Sequence, residues 1–231
     1  MIVRRDGSVL HLITQPDHAA LAGRIMAHWA GLDSHPHHDS IFIAISEHDN
    51  GWREPDAAPS IDATTSRIHD FMTAPAAVRQ GVWPRAVERL SHDPWAAALV
   101  AQHAVTVYDR FRSDREWADF FREMEAMRDR LVASTALTRE QLDADYPFVR
   151  IGDLISLVYC NKWREETYRE WTFRFDRDVV TVTPDPFGGR EIPFEIAAIE
   201  LPDRKFASDD DLRTSLADAP RVLLTGALRR G

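Results

Sequence analysis

The chain has 231 residues, 44% hydrophobic and 28% charged, with a formal net charge of −9. That balance suits a folded chain with one large core, and it excludes extended disorder and the basic stripe of a nucleic-acid binder. A single cysteine, Cys160, excludes an internal disulfide and a cysteine-built zinc site, and no run approaches the ~20 apolar residues of a membrane span.

The N-terminal residues lack the apolar core of a secretion signal, so the expected location is cytoplasmic, with no nucleic acid and no membrane as partner. Residues 2–14 alternate around Asp6-Gly7, a favoured turn pair, and read as a β-hairpin. Pro16 then opens a helix with Asp17 at its positive end. On that helix His18, Leu21, Ala22, Ile25 and Trp29 share one face. His18 is therefore on the buried stripe, as a metal ligand or as a core histidine with polar partners. His35-Pro36-His37-His38 lies in a loop between helices without fixed geometry and carries little weight as a site.

The chain is organised around residues 40–52, SIFIAISEHDNGW. As a helix, this stretch has Asp39 or Ser40 as N-cap and leaves through a left-handed turn at Gly51. His48 sits above Ile41 and Ile45 and faces the apolar layer, with Asp49 beside it. A buried carboxylate needs a partner, and a metal ion satisfies both residues at once. His-Asp occurs four times, at 38–39, 48–49, 69–70 and 92–93, but only the pair at 48–49 ends an apolar run. Asp39 and Asp93 read as N-caps.

Residues 53–66, rich in Pro, Asp and Ser, read as a loop over the groups that His48 and Asp49 face. His69 follows, as a further ligand or as a residue at a helix start. Pro75 and Pro84 each open a short helical piece, and Asp93-Pro94 caps a helix to about residue 111. Its inner face carries Leu99, Val100, His103 and Val107, a second histidine on an apolar stripe. Ser113 and Glu116 form a capping box for the next helix, whose aromatic and Met stripe reads as packing. Thr138 and Gln141 repeat that signature for a short element ended by Pro147. A last helix covers about residues 148–168 and places Asp153 in apolar surroundings, where it too needs a cation. From Trp171 short strands follow, at 172–175, 179–182, 192–196 and 222–228, with a short helix capped by Ser208 and Asp211. An isolated hairpin is marginal, so these strands are expected to pair with the N-terminal one. The expected fold is mainly α, a single domain over 1–231 with a helical metal-binding core at 15–170 and a small antiparallel β annex from 1–14 and 171–231.

His18, the His48-Asp49 pair, His103 and Asp153 fall in that order on four expected helices, and this pattern resembles the HD superfamily of metal-dependent hydrolases. The resemblance covers about residues 15–170 and implies an HD-like helical bundle. It also implies that His18, His48, Asp49 and Asp153 bind a first divalent ion, and that His103, with His69, holds a second. The runs EHDNGW, AQHAVTVY and GDLISLVYC also look like a bacterial family catalogued as a domain of unknown function.

The implied cofactor is one or two ions of Fe, Mn, Zn or Mg, which activate a water for attack on a small phosphorylated or nucleotide-like substrate. Asp49 would take part in catalysis, and Glu47 would orient the site, accept a proton or remain a solvated helix residue. Many family members that cleave phosphodiesters carry Lys after His-Asp-x-Gly, whereas this chain has Trp52. Arg53, Arg67, Lys162 and Arg164 are then the candidate contacts for an anion. Two other functions stay open: a di-iron oxygenase on the same scaffold, and a non-catalytic binding or assembly protein with core histidines or a structural metal. A homodimer is compatible with each. Cys160, inside a helix with no base nearby, reads as an inert thiol. Phosphate-binding glycine loops, dinucleotide fingerprints and His-Glu-x-x-His are absent.

Overall fold

The computed structural model describes residues 1–231, in which a helical layer and a sheet share one core. The hairpin comprises β1 (Ile2–Asp6) and β2 (Val9–Ile13), with Gly7 at φ 64° supplying the left-handed turn residue. Thr14 then caps α1 (Gln15–Met26), its hydroxyl accepting the Asp17 amide. α2 (His38–Glu47) starts earlier than its sequence suggests and has no side-chain cap. Gly51 does not leave through a left-handed turn. It lies in a 3-10 turn, Asn50–Trp52, pressed against the Val82 carbonyl, where a Cβ would collide. Glycine is required there for close approach rather than for φ.

Residues 53–66 are not a plain loop, since they contain α3 (Arg53–Ala57) and β3 (Ile61–Asp62), which pairs with β4 (Arg67–Ile68). α4 (Ala76–Arg89) and α7 (Arg139–Asn161) each run through a proline, Pro84 and Pro147, where a break is expected. An interior proline costs a helix about 3 kcal/mol. Buried neighbours on both sides, Trp83 and Ala86 on α4 and Tyr146 and Val149 on α7, hold the flanking turns in place. Asp93 caps α5 (Pro94–Val107), accepting the Trp95 and Ala96 amides. α6 (Ala118–Ala133) follows a 3-10 turn and starts after Trp117, so Ser113 and Glu116 form no capping box. The box at Thr138 and Gln141 does form, at the start of α7.

The expectation of a mainly α bundle with a small annex is overturned. The chain is mixed α/β, 48% helical and 22% strand, with a seven-stranded curled sheet. β5 (Glu165–Tyr168), β6 (Trp171–Asp176), β7 (Val179–Thr183), β8 (Ile192–Pro202) and β9 (Arg221–Arg230) join the hairpin in the order β1-β2-β8-β9-β7-β6-β5. β7 and β9 are parallel, and the other pairings are antiparallel. β5 occupies residues expected at the end of the last helix, which stops at Asn161 as Lys162 turns left-handed at φ 53°. Phe173, Val180, Val182 and Leu228 of the sheet belong to the same buried cluster as the helices, so the sheet forms a full layer of the core. α8 (Asp209–Ala217), capped by Ser208, packs on β8. No helix is long and apolar enough to cross a membrane.

Two glycines set how closely the central helices pack. A Cβ on Gly23 of α1 would collide with Ser46 of α2, and one on Gly152 of α7 would lie 3.0 Å from the Ile45 and Met26 side chains. α1, α2 and α7 therefore meet at nearly backbone contact, around one point.

Candidate metal centre

That point is occupied by four inward-facing side chains. His18 lies on the apolar stripe of α1, His48 and Asp49 end α2, and Asp153 sits one residue beyond Gly152 on α7, all buried. His18 Nε2 is 3.2 Å from His48 Nε2 and 3.0 Å from Asp49 Oδ2. Asp153 Oδ1 lies 3.7 Å from His18 Nε2 and 3.5 Å from His48 Nε2, and Asp49 Oδ2 lies 3.7 Å from His48 Nε2. Ligand bonds of about 2.1 Å to one ion would place neighbouring donors roughly 3.0–3.4 Å apart. His18, His48 and Asp49 thus fit a shared cation with Asp153 close beside them, and His48, His103 and Asp153 form a second, overlapping trio.

The ring hydrogens sharpen that fit. His48 Nδ1 is 2.8 Å from the Ile45 carbonyl, which only accepts, so Nδ1 carries the hydrogen. His18 Nδ1 is 2.8 Å from Ser156 Oγ, whose own hydrogen points to the Gly152 and Asp153 carbonyls. Each ring therefore turns its Nε2 inward, towards the other ring and towards two carboxylates, and that nitrogen is free to bind a cation or a proton. Such a set is repulsive until a cation enters it.

Without a metal, the proton is the cation at hand. Burial alone would lower the pKa of His48, but the charges of Asp49 and Asp153 and a bond to Asp153 outweigh it and push it up to about 9. Burial works to raise Asp153, yet His48, His103 and Arg150 hold its carboxyl well below the usual carboxylate range. Arg150 Nη1 is 2.5 Å from Asp153 Oδ2, which leaves Oδ1 for the cluster. His103 stands on the far side of Asp153, with Nε2 3.7 Å from Oδ2 and Nδ1 3.2 Å from the Tyr146 hydroxyl. Burial pushes it down to about 3 against the pull of Asp153, with the His48 and Arg150 charges adding to the fall.

A cavity of about 200 Å³ opens beside the cluster, with Asp49, His103 and Asp153 on its floor and Trp52, Phe71, Trp83, Tyr108 and Trp163 among its walls. The structure therefore brings together His18, His48, Asp49, His103 and Asp153. It does not bring His69 to them. That residue follows a strand rather than opening a helix, and it lines a separate cavity with Asp56 and Asp70. Glu47 also points away, 41% exposed and 2.9 Å from Arg53, because on α2 it lies about 100° round the axis from His48. Arg53, Arg67, Lys162 and Arg164 do not line the cavity, nor do residues 53–66 cover it. The arginines that do line it are Arg79, Arg110 and Arg150. Of these, Arg150 alone had a visible signal, its spacing three residues before Asp153 on one helix.

A second histidine group has formed where the sequence shows only a loop. His37 Nδ1 donates to Asp145 Oδ2 at 2.6 Å, Trp95 Nε1 donates to the same oxygen at 2.9 Å, and His35 Nε2 is 3.5 Å from Oδ1.

Neither curated proteins nor solved structures include a match to this chain. The family described as "Protein of unknown function (DUF3891)" matches residues 1–203, which span the hairpin, every residue of the cluster, the cavity and the sheet as far as β8. The chain belongs to that family.

Proposed function

We propose that the chain is a metal-dependent hydrolase of a small anionic substrate, of phosphorylated or nucleotide-like character, and that its likeness to the HD superfamily extends to the ligand set. The observation that carries this reading is the orientation of the donors: two bare imidazole nitrogens and two carboxylates converge on one buried point at the floor of a cavity. A divalent Fe, Mn, Zn or Mg ion held there supplies an activated water and polarises the bond under attack. His18, His48, Asp49 and Asp153 would hold the ion. Ser156 and the Ile45 carbonyl keep the two rings turned inward, and Arg150 fixes Asp153 by its outer oxygen. His103 lies on the cavity floor with Nδ1 tied to Tyr146, so its Nε2 is the atom placed to exchange a proton with substrate.

A two-ion oxygenase is the weaker reading. A second ion beside the first would find the trio of His48, His103 and Asp153, but it would share His48 with the first ion, His69 lies elsewhere, and Arg150 already occupies the outer oxygen of Asp153.

The test is elemental analysis of protein purified without chelator, together with His48→Ala, Asp49→Ala and Asp153→Ala. One equivalent of metal, lost in all three variants together with activity on phosphomonoester and phosphodiester panels, is the expected result. Folded protein that neither carries nor takes up metal would overturn the reading.

A further inference from the structure

Two polar atoms of residues lining the cavity are buried without a partner, Gln15 Oε1 and Arg79 Nε, while Trp83 Nε1 faces the Tyr108 hydroxyl, itself on the cavity wall. Buried polar atoms are almost always satisfied, so two unmet ones at opposite ends of a single cavity point to an occupant. Gln15 and Trp83 are only 2% and 3% exposed, which removes bulk water as the usual partner.

Their positions give the cavity two ends. Gln15 lies one turn before His18 on α1, and the Trp83 ring packs 5.6 Å from that of His103, so both belong to the cluster end. Arg79 sits one turn of α4 before Trp83 and belongs to the other. Its guanidinium lies over the rings of Tyr108, Phe111 and Trp117, at 5.2–6.0 Å. Those faces offset part of the cost of partial burial but fill none of its hydrogen-bonding capacity. Elsewhere on α4, Arg85 and Arg89 both pair with Glu54, and Arg112 pairs with Asp109 and Glu125. Arg79 and Arg110 line the cavity with no carboxylate at ion-pair distance, and Glu166 is the one acid lining it outside the cluster.

We propose that the cavity binds a small organic anion with a flat apolar body, its carboxylate or phosphate held by Arg79 and Arg110 at the end away from the metal cluster. The body lies between Trp52, Trp83 and Trp163, and a polar group near its far end meets Gln15 Oε1. At about 200 Å³ the space is smaller than the roughly 300–1,000 Å³ of drug-sized sites, which limits the body to about one ring. Arginine suits the anionic end because its planar fork matches a carboxylate or phosphate by two parallel bonds. The chemistry at the metal end rests on the hydrolase reading and acts on a second ester at that end, not on the anion held by the arginines; the anion subsite does not rest on it.

Calorimetry and tryptophan fluorescence with benzoate, phenyl phosphate, inorganic phosphate and benzyl alcohol test the proposal, on metal-loaded and chelator-treated protein. The expected result is that benzoate or phenyl phosphate binds with and without metal, more tightly than inorganic phosphate or benzyl alcohol. Arg79→Gln should weaken that binding about tenfold or more, Arg79→Lys less, and Arg53→Gln not at all. The better of the two ring anions identifies the headgroup. Binding that vanishes with the metal and ignores Arg79→Gln would overturn the proposal, as would inorganic phosphate binding as tightly as phenyl phosphate, or no probe binding at all. Should the protein hold no metal yet bind a ring anion through Arg79, the hydrolase reading falls and the anion site stands.

Discussion

The molecule contains two histidine–aspartate clusters, one around Asp145 and one around Asp49 and Asp153, and they differ in where the hydrogens point. Around Asp145 the carboxylate is met by donors: Trp95 and His37 bond one oxygen, and His35 faces the other. His35 Nδ1 accepts the His37 amide at 3.2 Å, so its hydrogen is on Nε2, towards Asp145. That cluster is complete as built, and it pins the loop before α2 onto α5 and α7. Around Asp49 and Asp153 the ring hydrogens are fixed outwards by Ile45 and Ser156, and the lone pairs meet in the middle. Residue types alone do not separate a loop anchor from a candidate metal centre; the groups that hold the outer ring nitrogens do.

The largest effect that could break this comparison is in metal content. Variants at His48 or Asp153 should lose the bound ion entirely, whereas His35→Ala and His37→Ala should keep a full equivalent. Metal lost from the His35 and His37 variants instead would reverse the assignment. Next comes pH. In chelator-treated protein the folded-state pKa of His48, about 9, lies above its ordinary value of 6.5, so its stabilising contribution is complete below about pH 6.5 and disappears as pH rises through 9. Urea midpoints should therefore fall across that window, by on the order of 3 kcal/mol in unfolding free energy. The metal-loaded protein, with an ion in place of the proton, should show a flat profile there, and a flat profile in the stripped protein would count against the inward-facing lone pairs.

Asp145→Ala should destabilise the fold by about 2–3 kcal/mol, because it strands the Trp95 and His37 donors, without changing metal affinity. The smallest effect is at Ser156, which holds the outer nitrogen of His18 in the other cluster. Ser156→Ala releases the His18 ring and should weaken metal binding roughly 10- to 100-fold, read by competition with a chromophoric chelator, while leaving the fold intact.

The convergence of His18, His48, Asp49, His103 and Asp153 is legible in sequence because His18, His103 and Asp153 sit on helices among apolar residues and the His48-Asp49 pair ends an apolar run, and helical periodicity fixes facing without tertiary information. His69 and Glu47 show the limit of that signal. Neither has a stripe, and the structure turns both elsewhere. The sheet is under-read because β8 and β9 alternate half-exposed positions, with Leu223 left 61% exposed, and because β7 pairs with β9 in parallel across a long stretch of chain. Pro84 and Pro147 read as breaks where packing on both sides overrides the local preference. Arg79 and Gln15 carry no local mark at all, since what distinguishes them is an unmet atom in a cavity built from distant segments.

The contacts at Gly23 and Gly152 bear on which ion the protein can prefer. Because these two positions have no side chain, the three helices that carry His18, His48 and Asp153 are as near as their backbones permit, and the donors stand 3.0–3.7 Å apart. Calcium, with bonds of about 2.3–2.6 Å and six to eight oxygens, needs a wider and more oxygen-rich cage than this one. In the proposed metal site the absent methyl groups would thus act as a calibre, selecting by ionic radius from outside the coordination sphere, and a single alanine at either position would be felt first as a change in ion preference.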